Sequence, residues 1–178
     1  MRSRHYSKKP RQIIVIAHNI RSIQNIGSIL RTADCLGIKK VVASGYTPNL
    51  ECTTDGTNQP LLPHIKDKLA HKLHIVALGA ECSVDFSYQP SIINYLNDLK
   101  QSGFTIVGLE QADNAISLPD YQPTDKIALL LGEEVSGLTN DIIKNCDHLV
   151  EIPMYGDKES YNVAIATSIA LYDIVVNK

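Results

Sequence analysis

Hydrophobic and polar positions alternate along the chain in blocks that predict strands and helices in turn. Short apolar runs rich in β-branched residues are typical of buried parallel strands, and segments with apolar residues every three to four positions predict helices. Repeated alternation of this kind favours an α/β domain with a mainly parallel sheet flanked by helices. The predicted strands are 13–17, 39–44, 104–109, 126–132 and 148–153, and the predicted helices are 25–36, 91–101, 138–146 and 163–176.

The first predicted helix carries polar side chains beside its buried face. Its apolar positions form one stripe that ends at Gly37, a residue that suits a helix stop. Asn25, Ser28 and Arg31 recur every three residues, so we expect them to form a strip along one flank. Taken alone, Asn25 also fits a plain role as a helix cap.

The last predicted helix, "VAIATSIALYDIVV" over 163–176, is apolar almost all the way round. A helix with this pattern must be covered on more than one face. A terminal helix in a small domain can be covered by a second copy of the chain, so we expect a homodimer.

The amino-acid composition indicates which class of protein this is. The chain has 178 residues, of which 44% are hydrophobic and 20% charged, which is typical of one soluble globular domain. Neither a membrane span nor a secretory signal is expected. Four scattered cysteines without a CxxC pair, and an isolated His71/His74 pair, indicate no metal site and no disulfide framework. We therefore expect a reduced, cytoplasmic protein.

Charge is distributed unevenly along the chain. The net charge is −2, yet the first dozen residues hold five Lys or Arg and no acidic residue. We assign residues 1–12 to a basic N-terminal arm and residues 13–178 to a single domain. Such an arm suits a phosphate-binding tail as well as it suits a solvated terminus.

Familiar nucleotide-binding and hydrolase signatures are missing from the sequence. There is no GxxxxGK[ST], no GxGxxG after a strand and no GxSxG. Polar clusters instead stand near three strand ends, where α/β folds place ligands. These are the Asn25/Ser28/Arg31 strip, "LLLGEEVSGL" over 129–138 and "IPMYGDKESYNVA" over 152–164.

Taken together, these three segments resemble the motifs of the SpoU, or TrmH, branch of the SPOUT RNA methyltransferases. "NIGSILRTAD" (25–34) matches the first motif, "LLLGEEVSGL" the second and "IPMYGDKESYNVAIA" the third. The resemblance covers the chain from about His18 to its end. It implies a deep C-terminal trefoil knot, S-adenosylmethionine as cofactor, and methyl transfer to a ribose 2′-hydroxyl of tRNA or rRNA in a homodimer.

The resemblance also implies a division of roles among residues. The cofactor is expected against Leu109, Gly132, Ile152 and Tyr161, although Tyr161 stands where the family often has a small or aliphatic residue. Arg31 is expected to bind a phosphate and stabilise the developing alkoxide, with Glu134 fixing Arg31 or its own loop. The expected catalytic set is Asn25, Arg31, Glu134, Ser160 and Asn162.

Three other interpretations remain open at this point. A non-catalytic RNA-binding protein with a degenerate knot would keep the fold and lose the cofactor. A SPOUT methyltransferase acting on a base nitrogen would change the target atom. A flavodoxin-like domain that binds a small anion would leave the apolar last helix unexplained.

Overall fold

The fold is a seven-stranded sheet flanked by helices, described for residues 11–55 and 57–177 by a computed structural model. All paired strands run parallel, in the order β3-β2-β1-β6-β4-β7-β5. The strands are β1 (Gln12–His18), β2 (Lys40–Ser44), β3 (Asp85–Gln89), β4 (Thr105–Leu109), β5 (Ile116–Ser117), β6 (Lys126–Leu131) and β7 (His148–Glu151). The helices are α1 (Ile23–Cys35), α2 (Pro63–Ala77), α3 (Ala80–Ser83), α4 (Ile92–Gln101), α5 (Asn140–Ile143) and α6 (Val163–Tyr172), and a π-helical turn (Asp173–Asn177) follows α6.

The sheet is covered on both faces, which confirms the predicted α/β architecture. Successive residues of a strand point to opposite faces. Accordingly, Val15 of β1 joins the core under α1, α2 and α6, while Ile16 joins the core under α4 and α5. Because β1 and β6 are buried on both faces, they read as continuous apolar runs. The trefoil knot expected from the resemblance stays a prediction.

Helix α1 begins at Ile23, two residues before the predicted start. Ser22 is the N-cap, and its hydroxyl accepts a hydrogen bond from the backbone N–H of Asn25. Asn25 therefore lies in the first turn and is not the cap. Gly37 adopts a φ of 74°, and the N–H of Ile38 donates to the carbonyl of Ala33, so the helix ends in a glycine-based turn.

The segment between β2 and α4 contains two helices and an edge strand that the sequence pattern did not predict. Helix α2 buries only Leu73 and Ala77, so its apolar stripe is too narrow to stand out. It crosses α1 at Gly27, where a Cβ would lie 2.8 Å from the Cβ of Val76. The absence of a side chain at Gly27 is what lets the two helices approach so closely.

The basic arm falls largely outside the described residues. Of its twelve residues, only Arg11 and Gln12 are described: Gln12 begins β1, and Arg11 donates to the carbonyl of Ile174 at 3.0 Å. Within the described part of the chain, no helix is long and apolar enough to cross a membrane.

Candidate functional site

A pocket of about 290 Å³ opens at the carboxyl ends of β4, β6 and β7. Its walls are the β4 end, the loop that follows β6 and the loop between β7 and α6. In parallel α/β sheets, ligands bind at this edge. The lining residues are Leu109, Glu110, Gln111, Leu131, Gly132, Glu133, Glu134, Val135, Ser136, Gly137, Glu151, Ile152, Glu159, Ser160, Tyr161, Val163 and Ala166.

The loop after β6 is a tight turn that depends on two glycines. Glu133 and Gly137 exchange both backbone hydrogen bonds, with N···O distances of 3.1 and 3.0 Å. A Cβ on Gly132 would overlap the backbone of Gly137, and Gly137 itself has a φ of 67°. The Glu110 carboxylate closes the turn by accepting from the N–H of Leu138 at 2.6 Å. The loop is therefore preformed, and its residues from Gly132 to Gly137 line the pocket.

Three of the predicted catalytic residues are joined by hydrogen bonds at this edge. The side-chain amide of Asn162 donates to Oδ1 of Asn25 at 3.2 Å, and Nδ2 of Asn25 donates to Oε1 of Glu134 at 3.0 Å. This chain of hydrogen bonds is anchored at both ends. Asn162 caps α6 by accepting from the N–H groups of Ala164 and Ile165, and Glu134 accepts from backbone N–H groups at the start of α1. Side chains from three distant segments are thus fixed as one unit.

Sequence reasoning missed Arg21, which joins α1 to the same loop. Its Nη2 lies 2.6 Å from Oε1 of Glu133, and its guanidinium stands 5.4 Å from the ring centre of Tyr46. The hydrogen bond from Ser136, together with Tyr46 and Arg21, lowers the pKa of Glu133. The cue was the position of Arg21 three residues after the end of β1, at the edge where parallel sheets gather functional side chains.

The pocket has an acidic character. Five glutamates line it, and no Lys or Arg is among its lining residues in the described part of the chain. The apolar part of the wall comes from Leu109, Ile152 and Val163. A cavity of this kind suits a ligand that combines an apolar planar group with positive charge.

The four residues predicted to hold a cofactor all line this pocket: Leu109, Gly132, Ile152 and Tyr161. Glu134 and Ser160 line it as well. Tyr161 is 45% exposed, so its ring stands at the mouth rather than in the floor. No cluster of three or more His, Cys, Asp or Glu that could hold a metal occurs among the described residues. His74 instead pairs with Glu81 at 2.5 Å.

Arg31 lies apart from this pocket. It borders a second hollow of about 390 Å³, formed between α1, α2 and α6. The lining residues of this Arg31 hollow are Ser28, Arg31, Thr32, Cys35, Leu36, Val76, Ser168 and Tyr172. The expected strip is therefore divided within one chain, since Asn25 contacts Glu134 while Ser28 and Arg31 face α2 and α6. The described contacts of Glu134 are with Asn25 and the start of α1, not with Arg31.

Sequence comparison finds relatives among RNA-modifying proteins. The chain is 29% identical over 163 residues to the tRNA (guanosine(18)-2′-O)-methyltransferase TARBP1 of Mus musculus, covering 91% of this chain and 9% of that protein. It is 27% identical over 161 residues to a putative TrmH family tRNA/rRNA methyltransferase of Staphylococcus haemolyticus, covering 90% of this chain and 57% of the relative. The chain thus spans little more than half of the second relative and a small part of the first.

Structural comparison gives the same grouping. The SpoU methyltransferase AviRb from Streptomyces viridochromogenes, solved with the cofactor AdoMet, superposes with a TM-score of 0.74 at 25% identity, covering 96% of this chain and 62% of AviRb. The sequence model of the SpoU rRNA Methylase family matches residues 52–172. That range includes both pocket loops and leaves Asn25 and Arg31 before its start. Because the match covers more than half of the sequence, the chain belongs to the SpoU rRNA Methylase family.

Proposed function

We propose that the protein is an S-adenosylmethionine-dependent RNA methyltransferase that modifies a ribose 2′-hydroxyl of tRNA or rRNA. The observation that carries the proposal is the Asn162–Asn25–Glu134 hydrogen-bond chain beside an acidic pocket at the carboxyl edge of the sheet. Family membership and the names of the relatives support the reaction class. The four free cysteines favour a reducing, cytoplasmic setting.

The residues of the pocket fit the proposed cofactor. Leu109 and Ile152 offer apolar contact to an adenine ring, and the preformed Gly132–Gly137 turn offers backbone groups for its polar edge. The surrounding glutamates complement the positive charge of a sulfonium and an amino group. When bound, S-adenosylmethionine supplies an electrophilic methyl group.

The amide side chains of Asn25 and Asn162 would position the ribose. Each amide nitrogen uses one hydrogen in the hydrogen-bond chain and carries a second that can donate to a ribose oxygen. Glu134 fixes the orientation of the Asn25 amide, because its carboxylate oxygen accepts from Nδ2 of Asn25. Positioning of this kind supplies much of the rate in a transfer between two bound partners.

Arg31 would complete the site from a second subunit. Its guanidinium would bind a phosphate and stabilise the developing alkoxide. Within one chain Arg31 lies in a separate hollow. A homodimer packed through α6 would let the Arg31 hollow of one subunit approach the pocket of the other.

Exposed apolar residues on and beside α6 support the homodimer. Ile165 is 53% exposed and Tyr172 is 54% exposed. Tyr172 also lies between two hollows, the Arg31 hollow and a largely apolar one of about 580 Å³ beside Ile169 and Tyr155. A matching helix from a second copy would fill such a surface.

The test is incubation of the protein with S-adenosylmethionine labelled in its methyl group and with tRNA or rRNA from a strain lacking the protein. Digestion to nucleosides and mass spectrometry should show a 2′-O-methylnucleoside. Methyl label on a base nitrogen would show that the protein modifies the base and not the ribose. RNA binding without affinity for the cofactor, measured by calorimetry, would favour the non-catalytic alternative.

A further inference from the structure

The candidate pocket is acidic, so it cannot by itself hold a polyanionic substrate. Each phosphate of an RNA chain carries a negative charge, and proteins bind these groups mainly through Lys and Arg. The cations that hold the substrate must therefore lie outside the pocket. Arg21 at the rim is already paired with Glu133, so another basic surface is required.

Helix α2 carries such a surface. Three lysines and one aspartate give this helix a charge of opposite sign to the chain as a whole, whose net charge is −2. The lysines Lys66, Lys68 and Lys72 are exposed, as are His64 and His71. The first six residues of α2, 63–68, are all exposed, so this half of the helix extends along the surface without packing on the core.

Two of these lysines lead toward Arg31. Lys68, Lys72 and Val76 are spaced by four residues, which places them on one face of the helix. Val76 lines the Arg31 hollow, so Lys72 lies one turn away from that hollow and Lys68 two turns. Because Gly27 lets Val76 pack tightly on α1, the Val76 end of this face keeps a fixed position relative to Arg31. We call Lys68 and Lys72 the lysine row.

We infer that the lysine row of α2 binds phosphates of the RNA substrate and guides the strand toward Arg31. The inference rests on the proposed function. A second copy of the chain is the competing occupant, because Ile75 and Leu78 on the same helix are also exposed. The lysines favour RNA, since each lysine that neutralises a phosphate releases the counterion condensed there.

The experiment compares two double variants with the unaltered chain. Lys68→Gln/Lys72→Gln removes the lysine row, and Lys39→Gln/Lys144→Gln removes two exposed lysines at the opposite edge of the sheet. Binding of unfractionated tRNA, and separately of rRNA, is measured by filter binding over a series of KCl concentrations. We expect the lysine-row variant to bind about tenfold more weakly, with a salt slope reduced by roughly 1 to 2, and the control to match the unaltered chain.

Three outcomes would overturn the inference. The lysine-row variant could bind RNA with the same affinity and salt slope as the unaltered chain. That result would exclude the lysine row as a phosphate-binding surface and leave the proposed function unchanged. Weaker RNA binding together with a monomeric variant in light scattering would assign α2 to a second copy instead. If the unaltered chain does not bind RNA, that result would contradict both the proposed function and this inference.

Discussion

The two ends of α1 differ in how they are held. At the first turn, Asn25 is hydrogen-bonded to Glu134 and Asn162, which come from loops more than one hundred residues away in sequence. Two turns later, Arg31 is exposed beside an open hollow. One end of the helix is therefore preformed for binding, while the other end presents its functional group outward.

On the proposed homodimer, this difference marks where a single chain would stop being sufficient. The pocket, its glycine turn and the Asn162–Asn25–Glu134 chain lie within one subunit and need no partner to form. Arg31 lies outside this pocket and borders the Arg31 hollow instead. On the proposed function, binding of the cofactor and completion of the reactive site are separate tasks, and substitutions at the two ends of α1 should separate them.

The largest expected effect comes from Arg31→Ala. Loss of a group that stabilises transition-state charge lowers the rate by about 10²–10³. The dissociation constant for S-adenosylmethionine should stay within about twofold, because Arg31 does not line the pocket. Single-turnover transfer and calorimetry measure the two quantities. Loss of both together would contradict the separation, and Arg31→Lys is the conservative control.

On the proposed homodimer, Ile165→Glu should convert dimers to monomers. A charge placed on the exposed face of α6 would be buried unpaired in a subunit interface, a change that costs several kcal/mol. Light scattering gives the mass of the particle, and transfer should fall as the dimer is lost. The matched control is Ile165→Leu, which keeps an apolar side chain at the same position, where Ile165 is 53% exposed. A fully active Ile165→Glu monomer would exclude a shared site.

Glu134→Ala should weaken cofactor binding and transfer together. The change leaves Asn25 without its acceptor and removes the contacts to the start of α1. We expect the cofactor dissociation constant to rise about tenfold, which is roughly 1.4 kcal/mol. Glu81→Ala, which removes a carboxylate outside the pocket that also accepts a backbone hydrogen bond, is the control. Unchanged cofactor affinity would mean that Glu134 acts only on the substrate.

The smallest expected effect is on stability. Asn162→Ala removes the N-cap of α6 and should lower the free energy of unfolding by about 1 kcal/mol. Arg31→Ala, at an exposed position, should change the free energy of unfolding by less than about 0.5 kcal/mol. Urea denaturation of both variants measures this contrast. Equal losses would contradict the contrast between a stabilising N-cap at Asn162 and an exposed side chain at Arg31.

The sequence predicted the parallel sheet and the strand ends well, because buried parallel strands are continuous apolar runs. It could not predict which residues would meet. Glu134 was assigned to Arg31 or to its own loop, and only the fold brings its carboxylate to Asn25. In α6 nearly every position is apolar, so the sequence does not distinguish the buried face from the exposed face. Ala170 is buried and Ile165 is exposed, although both residues are apolar. Helix α2 escaped prediction because it buries just two residues.

The measurement that tests the central claim most directly is complementation between two variants that each weaken transfer. Arg31→Ala and Glu134→Ala subunits are mixed, allowed to exchange, and assayed for methyl transfer to RNA. If Arg31 of one subunit serves the pocket of the other, each mixed dimer holds one intact site. Random exchange should then restore about a quarter of the activity of the unaltered protein. Mixed dimers with no more activity than either variant alone would place Arg31 and Glu134 in the same subunit's site and contradict the account.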